Sequence, residues 1–412
     1  MKYTVLDLFA GAGGLTLGLD NAGLKTVAAI EIDRFAAETY KANFPDVKLF
    51  TKSVRDFSDK EIIKEFGGVD VVAGGPPCQG FSVAGPSQYG IVDERNDLLL
   101  ESIRFVKVLK PKVVVFENVK GILAGKIPGT NKKAIPVAVK KIESLGYDVK
   151  IYVLQAANYG APQWRERVFI FCVQKGLKLP EFKPKYGTSN NPWVTVGEAL
   201  SDLPQILAGE GSEIQKYATR PQSDYQRNMR QNSLHVTNHI AMKHTPRLIE
   251  RFKHIPVGGS LVNAPAEHGQ RLRNGTAIDA KKRFKMNNQR LDPKKISLCV
   301  TASFQSNYIH PVLHRNLTAR EGARLQSIPD TFILKGPRTL MSKTLLVKEG
   351  REDEIGLSQY NQIGNMVPPL LASAVGEKII EAIENTEFIY ETDRKQASLL
   401  QYNQQTPQYL PS

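Results

Sequence analysis

Cys78 lies in a short segment whose composition sets it apart from the other cysteines of the chain. Positions 74–82 read GGPPCQGFS. Two consecutive prolines fix the backbone and remove two amide donors, so the thiol is presented from a stiff turn. A cysteine that only packs needs no such turn flanked by glycines. The pattern favours a nucleophilic thiol over a buried one, because a presented thiolate can attack an electrophilic ring.

A glycine-rich turn near the start of the chain predicts a second function, cofactor binding. Positions 7–14 read DLFAGAGG, and Glu31 lies twenty residues after Gly11. Glycines let a strand turn into a helix while a ligand approaches the backbone, and an acidic residue at this distance grips ribose hydroxyls. Thr16 stands where the dinucleotide pattern has its third glycine. Together these residues predict a nucleoside-containing cofactor, with a packing turn and a solvated glutamate as the alternative.

Glu117 and the segment QWRER at 163–167 supply the remaining ionisable groups. Glu117 closes a run of valines, and a carboxyl at the edge of an apolar crevice can act as a proton donor. An isolated glutamate at a strand end is otherwise a solvated residue or a helix cap. If the later segment is extended, Gln163, Arg165 and Arg167 share one face. Two guanidiniums there suit a phosphate or a polarised carbonyl, or ion pairs with surface acids.

The elements that must position these groups alternate over the first 175 residues. We predict strands at 4–9, 26–32, 69–73, 113–117, 150–154 and 168–173, and helices at 97–109 and 135–145. This alternation predicts an α/β fold with a doubly wound, mostly parallel sheet. Such sheets bind ligands at the carboxyl ends of their strands. The glycine turn, Glu31, the Cys78 loop and Glu117 are therefore expected around one crevice.

The charge of the chain is concentrated in its second half. Positions 211–300 contain 17 Lys and Arg against 6 Asp and Glu, a net charge of +11 within a chain total of +14. Weak periodicity and many turn residues predict a small, irregular strand-and-loop domain. Lys and Arg that replace the counterions of phosphate predict a nucleic-acid face, with a solvated basic surface as the alternative. Helical patterns resume at 317–326 and 370–383.

Several classes of protein are excluded by composition. Cys78, Cys172 and Cys299 are too few and too scattered for a disulfide framework or a zinc site. Cys172 and Cys299 lie in apolar runs and are expected to be buried. The histidines of the basic segment lack a companion set of Cys or acidic residues, so we expect no metal. No apolar run reaches the length of a membrane span and no secretory signal precedes the first strand, which predicts a cytoplasmic protein.

Six motifs together resemble those of the DNA cytosine-5 methyltransferase family, which includes the methylases of bacterial type II restriction-modification systems. They are DLFAGAGG at 7–14, PPCQ at 76–79, ENV at 117–119, QxRxR at 163–167, RxLTxRE at 315–321 and QxGN at 362–365. They follow the order of the family and span most of the chain outside the basic segment. That segment falls where the family places its target-recognition domain. A single motif is weak, but six in order are very specific.

The resemblance implies the S-adenosylmethionine-dependent methyltransferase fold, with S-adenosyl-L-methionine as cofactor. It implies that a cytosine is flipped out of double-stranded DNA and that Cys78 adds to its carbon 6. During this addition Glu117 holds and protonates ring nitrogen 3, while Arg165 and Arg167 hold the flipped nucleotide and its polarised carbonyl. Carbon 5 takes the methyl group, and loss of its proton expels the thiolate.

The resemblance also assigns binding residues. The implied cofactor contacts are Phe9, Ala10, Gly11, Gly13, Gly14, Glu31, Ile32, Ser53, Pro77, Leu98 and Asn365. The implied DNA contacts are Gln79, Ser82, Arg271, Arg273, Arg283 and Arg290. Arg320 and Glu321 are expected to brace the recognition domain. Two positions depart from the family: Ser53 replaces an acidic residue that touches the adenine amine, with Asp56 out of register, and Gly322 replaces a frequent cysteine.

The domain division implied is a catalytic domain of residues 1–180 and 358–392, a target-recognition domain of 181–335, an insertion or hinge at 336–357 and a disordered tail at 393–412. A monomer associated with the nucleoid is expected, with a cognate restriction endonuclease as a functional partner, not a physical one. The alternatives are a tRNA-cytosine methyltransferase and a non-catalytic DNA-binding protein of the same fold. A nicotinamide-dependent oxidoreductase shares the glycine turn and Glu31 but gives no reason for the PPCQ motif or the basic segment.

Overall fold

A seven-stranded sheet forms the centre of the first half of the chain. The computed structural model describes residues 2–77, 98–126, 132–271, 276, 287–339 and 343–385. The strands are β1 (Thr4–Leu8), β2 (Lys25–Ile30), β3 (Lys48–Phe50), β4 (Val71–Gly74), β5 (Val113–Asn118), β6 (Tyr147–Gln155) and β7 (Glu166–Gln174). Their order is β3-β2-β1-β4-β5-β7-β6. The first five are parallel, and β7 runs antiparallel to both of its neighbours.

Helices connect these strands and continue into the second half. They are α1 (Gly14–Asn21), α2 (Arg34–Asn43), α3 (Asp59–Phe66), α4 (Leu98–Leu109), α5 (Ala134–Ser144), α6 (Val196–Leu200), α7 (Asp224–Met229), α8 (Pro246–Lys253), α9 (Phe304–Asn307), α10 (Ala319–Leu325), α11 (Lys343–Lys348), α12 (Gln359–Asn365) and α13 (369–385). Side-chain caps start several of them. Asp33 accepts a hydrogen bond from the Ala36 amide at the start of α2, and Ser58 and Glu61 form a capping box on α3.

Two apolar cores cover the two faces of the sheet. On one face Val5 of β1 packs with Leu19 of α1 and with Leu371 of α13. On the other face Leu6 of β1 packs with Ile103 of α4 and with residues of α3 and α5. Successive residues of β1 therefore enter opposite cores, as the two-residue period of a strand requires. This arrangement confirms the predicted doubly wound, mostly parallel sheet.

The second half contains short strands and short helices. β8 (Gly211–Gln215) and β9 (Val236–Ile240) form an antiparallel pair, and β10 (Gln289–Arg290) pairs with β11 (Tyr308–Ile309). A third apolar core joins α6, α7, α10 and α12 and includes Ala12 of the glycine turn. The irregular strand-and-loop character is as expected, although α6, α7 and α8 add more helix than the sequence indicated. The division into domains stays a prediction, because this core spans segments from both halves.

The described residues of the segment 336–357 pack against α2 of the first half. A Cβ added to Gly336 or Gly356 would lie within 3 Å of the Phe35 side chain of α2. The Leu357 amide donates to the Asp33 carboxylate at 3.0 Å, and Leu346 of α11 is buried. The described residues of this segment are therefore packed, and its role as an insertion or hinge stays a prediction. The predicted tail at 393–412 lies outside the described residues.

The predicted elements agree closely with the observed ones. All six predicted strands occur, with ends that differ by three residues at most. β3 was missed because three residues carry too little periodicity to be recognised. In the part of the chain that the structure describes, no helix is long and apolar enough to cross a membrane.

Candidate active site

The glycines of the turn after β1 have separate roles. Phe9, Gly11 and Gly13 have positive φ angles of 58°, 57° and 97°, a region that glycine adopts at little cost. A Cβ at Gly13 would lie 2.3 Å from the Phe44 ring, and one at Gly14 would lie 2.5 Å from the Val367 carbonyl oxygen. A Cβ at Gly11 would meet no atom of the described residues within 4 Å beyond its chain neighbours. Gly13 and Gly14 thus permit close packing, whereas Gly11 borders space that a ligand can enter.

Glu31 follows β2 and is hydrogen-bonded to the same turn. Its Oε2 accepts a hydrogen bond from the Gly11 amide at 2.7 Å, and its Oε1 accepts one from the Asp33 amide at 2.7 Å. Burial raises the pKa of this carboxyl. The next residue, Ile32, exposes 69% of its surface. The structure therefore brings Gly11, Glu31 and an uncovered apolar side chain together, as a nucleoside site requires.

Asp7 lies at the end of β1, next to this turn. The motif at 7–14 predicted no separate role for its carboxyl. Its side chain is fully buried beneath α1, where Oδ2 accepts a hydrogen bond from the Thr16 hydroxyl at 2.6 Å, and that hydroxyl is 2.9 Å from the Tyr40 hydroxyl. Oδ1 has no hydrogen-bond partner among the described residues. Burial, reinforced by the charges of Asp20 and Glu31, raises the pKa of Asp7 to about 7. Only the position of Asp7 at the strand end could have indicated this.

The other expected cofactor contacts come from several elements. Ser53 begins the turn after β3, where its amide donates to the Asp56 carboxylate at 3.1 Å and its hydroxyl caps the Arg55 amide. Asp56 is therefore bonded back to its own turn. Pro77 lies just after β4, Leu98 begins α4, and both are half-buried. The remaining two are Ala10, which is buried, and Asn365, which ends α12 and is exposed. Their roles stay predictions.

Glu117 and Arg167 form an ion pair where β5 and β7 meet. Arg167 Nε lies 2.8 Å from Glu117 Oε1, and both side chains expose 11% of their surface. Burial raises the pKa of the Glu117 carboxyl, and the nearby Arg167 and Arg165 partly offset that effect. A Cβ on Gly75 would be 3.4 Å from Glu117 Oε2. Gly75 therefore lies beside Glu117 Oε2, close enough that a side chain there would contact this oxygen.

Residues 75 and 76, which lead to Cys78, are hydrogen-bonded to the ends of β1 and β5 next to this pair. Asn118 Nδ2 donates to the Pro76 carbonyl oxygen at 2.9 Å, and the Gly75 amide donates to the Leu8 carbonyl oxygen at 3.2 Å. These bonds join the carboxyl ends of β1, β4 and β5. Cys78 itself lies outside the described residues, as do Gln79 and Ser82.

Arg165 does not have the environment that its expected role requires. It is 1% exposed, and its Nη1 donates to the Val300 carbonyl oxygen at 2.6 Å and to Cys299 Sγ at 3.5 Å. Its Nη2 donates to the carbonyl oxygens of Gly364 and Met366 at 2.8 and 3.2 Å. Burial lowers the pKa of Arg165 to about 10. Its Nε is buried with no hydrogen-bond partner among the described residues. Because both terminal nitrogens are bonded to backbone, these contacts favour a positioning role for Arg165 over the expected contact with the nucleotide.

Gln163 completes this junction between the two halves. Its Nε2 donates to the Leu325 carbonyl oxygen at 2.8 Å, and its Oε1 accepts a hydrogen bond from the Val300 amide at 3.0 Å. Gln163 is fully buried while Trp164 exposes 48% of its surface. This alternation confirms that the segment is extended, with Gln163 and Arg165 on one face.

Cys299 is only half-buried, contrary to expectation, whereas Cys172 is buried as expected.

Buried charges brace the second half against α10. Glu321 accepts two hydrogen bonds from Arg315 at 2.7 and 2.8 Å, and the charge of Arg315 keeps the pKa of Glu321 well below its usual range despite burial. Arg320 donates to the Thr237 carbonyl oxygen of β9 at 2.9 Å. Arg320 and Glu321 are thus structural, as expected. No sequence motif indicated the adjoining buried cluster, which contains Arg324, Asp330 and Asp202.

The residues expected to contact DNA lie in different environments. Arg271 is exposed, while Arg273 and Arg283 lie outside the described residues. Arg290 is buried, and its guanidinium donates to the carbonyl oxygens of Ile255, Phe252, His310 and Leu313. The expectation that Arg290 contacts DNA is therefore wrong, because its donors are used within the fold. Among the described residues no group of three or more His, Cys, Asp or Glu could hold a metal ion.

The fold has a solved counterpart that matches it over nearly its whole length. The structure superposes on a crystal structure of an Escherichia coli prophage-encoded protein assigned as a DNA modification methyltransferase, with a TM-score of 0.70 and 25% sequence identity. The match covers 93% of this chain and 100% of that one. The sheet order, with antiparallel β7 between β5 and β6, therefore defines a methyltransferase of the S-adenosylmethionine-dependent fold.

Sequence comparison identifies the family within that fold. The family model of C-5 cytosine-specific DNA methylases matches residues 3–381. The type II methyltransferase M.DdeI of Desulfomicrobium norvegicum is 42% identical over 94% of this chain and 91% of its own length. M1.HphI of Haemophilus parahaemolyticus is 33% identical over 93% and 88%. The chain belongs to the C-5 cytosine-specific DNA methylase family and is a DNA cytosine-5 methyltransferase.

Proposed function

We propose that this enzyme transfers a methyl group from S-adenosyl-L-methionine to carbon 5 of a cytosine flipped out of a specific short duplex sequence. We further propose that it is the modification enzyme of a type II restriction-modification system, acting as a monomer. The observation that carries the proposal is the Glu117–Arg167 pair at the strand-end edge where the Gly11 turn borders open space. The relatives named type II methyltransferases support the biological setting.

The residues around the glycine turn fit the cofactor. Gly11 leaves space beside the backbone, Glu31 offers carboxylate oxygens for ribose hydroxyls, and the exposed Ile32 offers an apolar surface for the adenine ring. Phe9 and Asn365 complete the proposed set. When bound, the cofactor supplies an electrophilic methyl group on a sulfonium.

Glu117 is proposed to hold and protonate ring nitrogen 3 of the cytosine. Its burial favours the neutral acid, which can donate a proton, while Arg167 orients the carboxyl through Oε1. Oε2 lies beside Gly75. Arg167 is also proposed to contact the polarised carbonyl of the base. A protonated ring nitrogen accepts electrons better than the free nitrogen, so protonation promotes attack at carbon 6.

Cys78 is proposed as the nucleophile. Its thiolate forms a bond to carbon 6, and the ring electrons then make carbon 5 nucleophilic enough to take the methyl group. A base removes the proton from carbon 5, the carbon–sulfur bond breaks to release the thiolate, and ring nitrogen 3 gives its proton back to Glu117. The Pro76–Asn118 hydrogen bond fixes the start of the loop that presents this residue.

Incubation with DNA and labelled S-adenosylmethionine tests the proposal. We expect label on cytosine in duplex DNA, none with Cys78→Ala, and a loss of roughly 10²- to 10⁴-fold in rate with Glu117→Gln. Incorporation into tRNA instead of DNA, or undiminished incorporation by Cys78→Ala, would contradict it. Bisulfite sequencing of DNA from expressing cells reads the recognition site and the modified base.

A trapping experiment tests the covalent step separately. Duplex DNA with 5-fluorocytosine at the target has no removable proton on carbon 5, so the Cys78 adduct cannot collapse. We expect a complex that survives denaturing electrophoresis for the wild type and none for Cys78→Ala. A wild-type enzyme that methylates cytosine but forms no such complex would show that another group is the nucleophile.

A further inference from the structure

The two tryptophans of the chain lie together on the surface, beside the candidate active site. Trp164 and Trp193 meet edge to face, with ring centroids 5.4 Å apart, and expose 48% and 37% of their surfaces. Gln163 pairs with Ser297 in a parallel bridge, and the Trp164 amide donates to the Ser297 carbonyl oxygen at 2.7 Å. This register places Leu298, which is 44% exposed, alongside Trp164. We name Trp164, Trp193 and Leu298 the indole patch.

We propose that the indole patch docks the DNA strand that flanks the flipped cytosine. This inference rests on the proposed function and extends it to a surface outside the expected contacts. Exposed indoles beside an exposed leucine are uncommon on a surface that binds no partner. They are typical of binding sites, where tryptophan side chains often contribute a large share of the binding free energy. Packing alone does not account for Trp164, because the same stretch buries Gln163 and Arg165 completely.

The position of the patch indicates DNA as the occupant. Trp164 precedes Arg165 and β7, whose Arg167 pairs with Glu117 at the carboxyl end of β5. The patch therefore lies at the same edge of the sheet as the proposed chemistry. It also lies on the seam between the two halves, because Arg165 Nη1 donates to Val300, two residues after Leu298. A duplex whose base enters the crevice must pass its flanking strand over this edge.

The chemistry of the surroundings suits a sugar-phosphate strand. Lys294 and Lys295 are exposed in the loop that leads to Leu298; Lys295 exposes 75% of its side chain and lies 3.5 Å from the Asp292 carboxylate. The Trp193 Nε1 donates to Asn158 Oδ1 at 3.0 Å. The Trp164 Nε1 has no hydrogen-bond partner among the described residues and can donate to a phosphate oxygen. Flat indoles pack on deoxyribose or on an unstacked base, while the lysines neutralise phosphate.

Intrinsic fluorescence tests the inference directly, because these two residues are all the tryptophan that the 412-residue chain contains. We expect cognate duplex to reduce acrylamide quenching of the emission by about twofold or more, since a docked strand shields the rings. Trp164→Phe and Trp193→Phe report each indole separately. S-adenosylmethionine alone should leave the quenching unchanged.

Alanine variants test whether the contact contributes to DNA affinity. Trp164→Ala and Trp193→Ala are each expected to raise Kd and KM for duplex about tenfold, with kcat at saturating DNA unchanged. Ile63→Ala is the matched control, because Ile63 on α3 is an exposed apolar residue on another surface, 58% exposed. Trp193 lies in a different loop from the catalytic strand, so its variant keeps the test valid if Trp164→Ala fails to fold.

The outcomes separate the patch from the proposed function. If wild-type enzyme neither binds nor methylates duplex, the proposed function fails. If it methylates duplex while DNA leaves quenching unchanged and both alanine variants keep wild-type KM, the patch inference is overturned. A quenching constant that depends on protein concentration, with a sedimenting dimer lost in Trp193→Ala, would assign the patch to a second copy and also overturn it.

Discussion

Arg165→Met is the perturbation that best separates a positioning residue from one that touches substrate. Arg165 donates to three backbone carbonyl oxygens, those of Val300, Gly364 and Met366, at 2.6 to 3.2 Å. These carbonyls belong to two segments that are far apart in sequence. Methionine fills a similar volume with no donor, so the variant leaves the Val300 and Gly364 carbonyl oxygens without this donor, while the Met366 carbonyl oxygen still accepts from Gln326 Nε2 at 3.3 Å.

The expected cost follows from those contacts. Each buried carbonyl that loses its donor costs about 1 kcal/mol, so two cost about 2 kcal/mol. The loss of packing is small, because the methionine side chain adapts to irregular space. Removal of the buried charge offsets part of the cost, since burial already lowers the pKa of Arg165 to about 10. A net destabilisation of about 1 kcal/mol is therefore expected.

Urea denaturation followed by circular dichroism measures this change. Arg290→Met is the matched control, because Arg290 is a buried arginine whose guanidinium likewise donates to backbone carbonyls. We expect both variants to lower the denaturation midpoint, and Arg165→Met to retain measurable single-turnover methylation when it is folded. A fully stable Arg165→Met that has lost all methylation would refute the reasoning and return Arg165 to the substrate.

Three further predictions use the remaining features of the site. Asp7→Asn should become more stable than wild type as pH rises from about 4 to about 7, because burial raises the pKa of Asp7 to about 7 and the carboxyl stabilises the fold only while protonated; a difference in Tm that is flat with pH would contradict this. Gly11→Ala should weaken S-adenosylmethionine binding at least about tenfold, as measured by calorimetry. Gly68→Ala is the control, because Gly68 also has a positive φ and an open Cβ position and so shares the ~1 kcal/mol of backbone strain. Equal cofactor binding by both variants would exclude Gly11 from the site. Arg271→Ala should reduce the slope of log K for DNA against log salt by about 0.9, as expected for one lost phosphate contact; an unchanged slope would remove Arg271 from the interface.

The elements of the catalytic half were predictable because each is encoded locally. The apolar runs at 113–117 and 168–173 gave β5 and β7 to within two residues. The helical pattern at 135–145 predicted α5, and Gly146 marked its end. In the structure Gly146 has a φ of 92°, which other residues rarely adopt and which is typical of the residue after a helix. The antiparallel direction of β7 was not encoded in this way. Strand direction depends on which neighbours pair, and those neighbours are distant in sequence.

The candidate site was predictable at the level of which residues meet, and less so at the level of what each one does. The rule that ligands bind at the carboxyl ends of parallel strands grouped Gly11, Glu31 and Glu117. The structure places all three at the same edge of the sheet. It could not distinguish Arg167, which pairs with Glu117, from Arg165, which pairs with backbone. The two arginines share one face of an extended segment, so their sequence context is nearly the same.

The sequence by itself determined the family, the order of motifs and the local geometry of the turns, because these depend on residue type and short-range spacing. Only the tertiary structure decided which partners Arg165 and Arg290 bond. Arg165 donates to Gly364 across 199 positions of sequence, and Arg290 donates to Phe252 across 38. A guanidinium is available to a ligand only when its donors are not already bonded, and which carbonyl oxygens surround it is settled by the packing of distant segments.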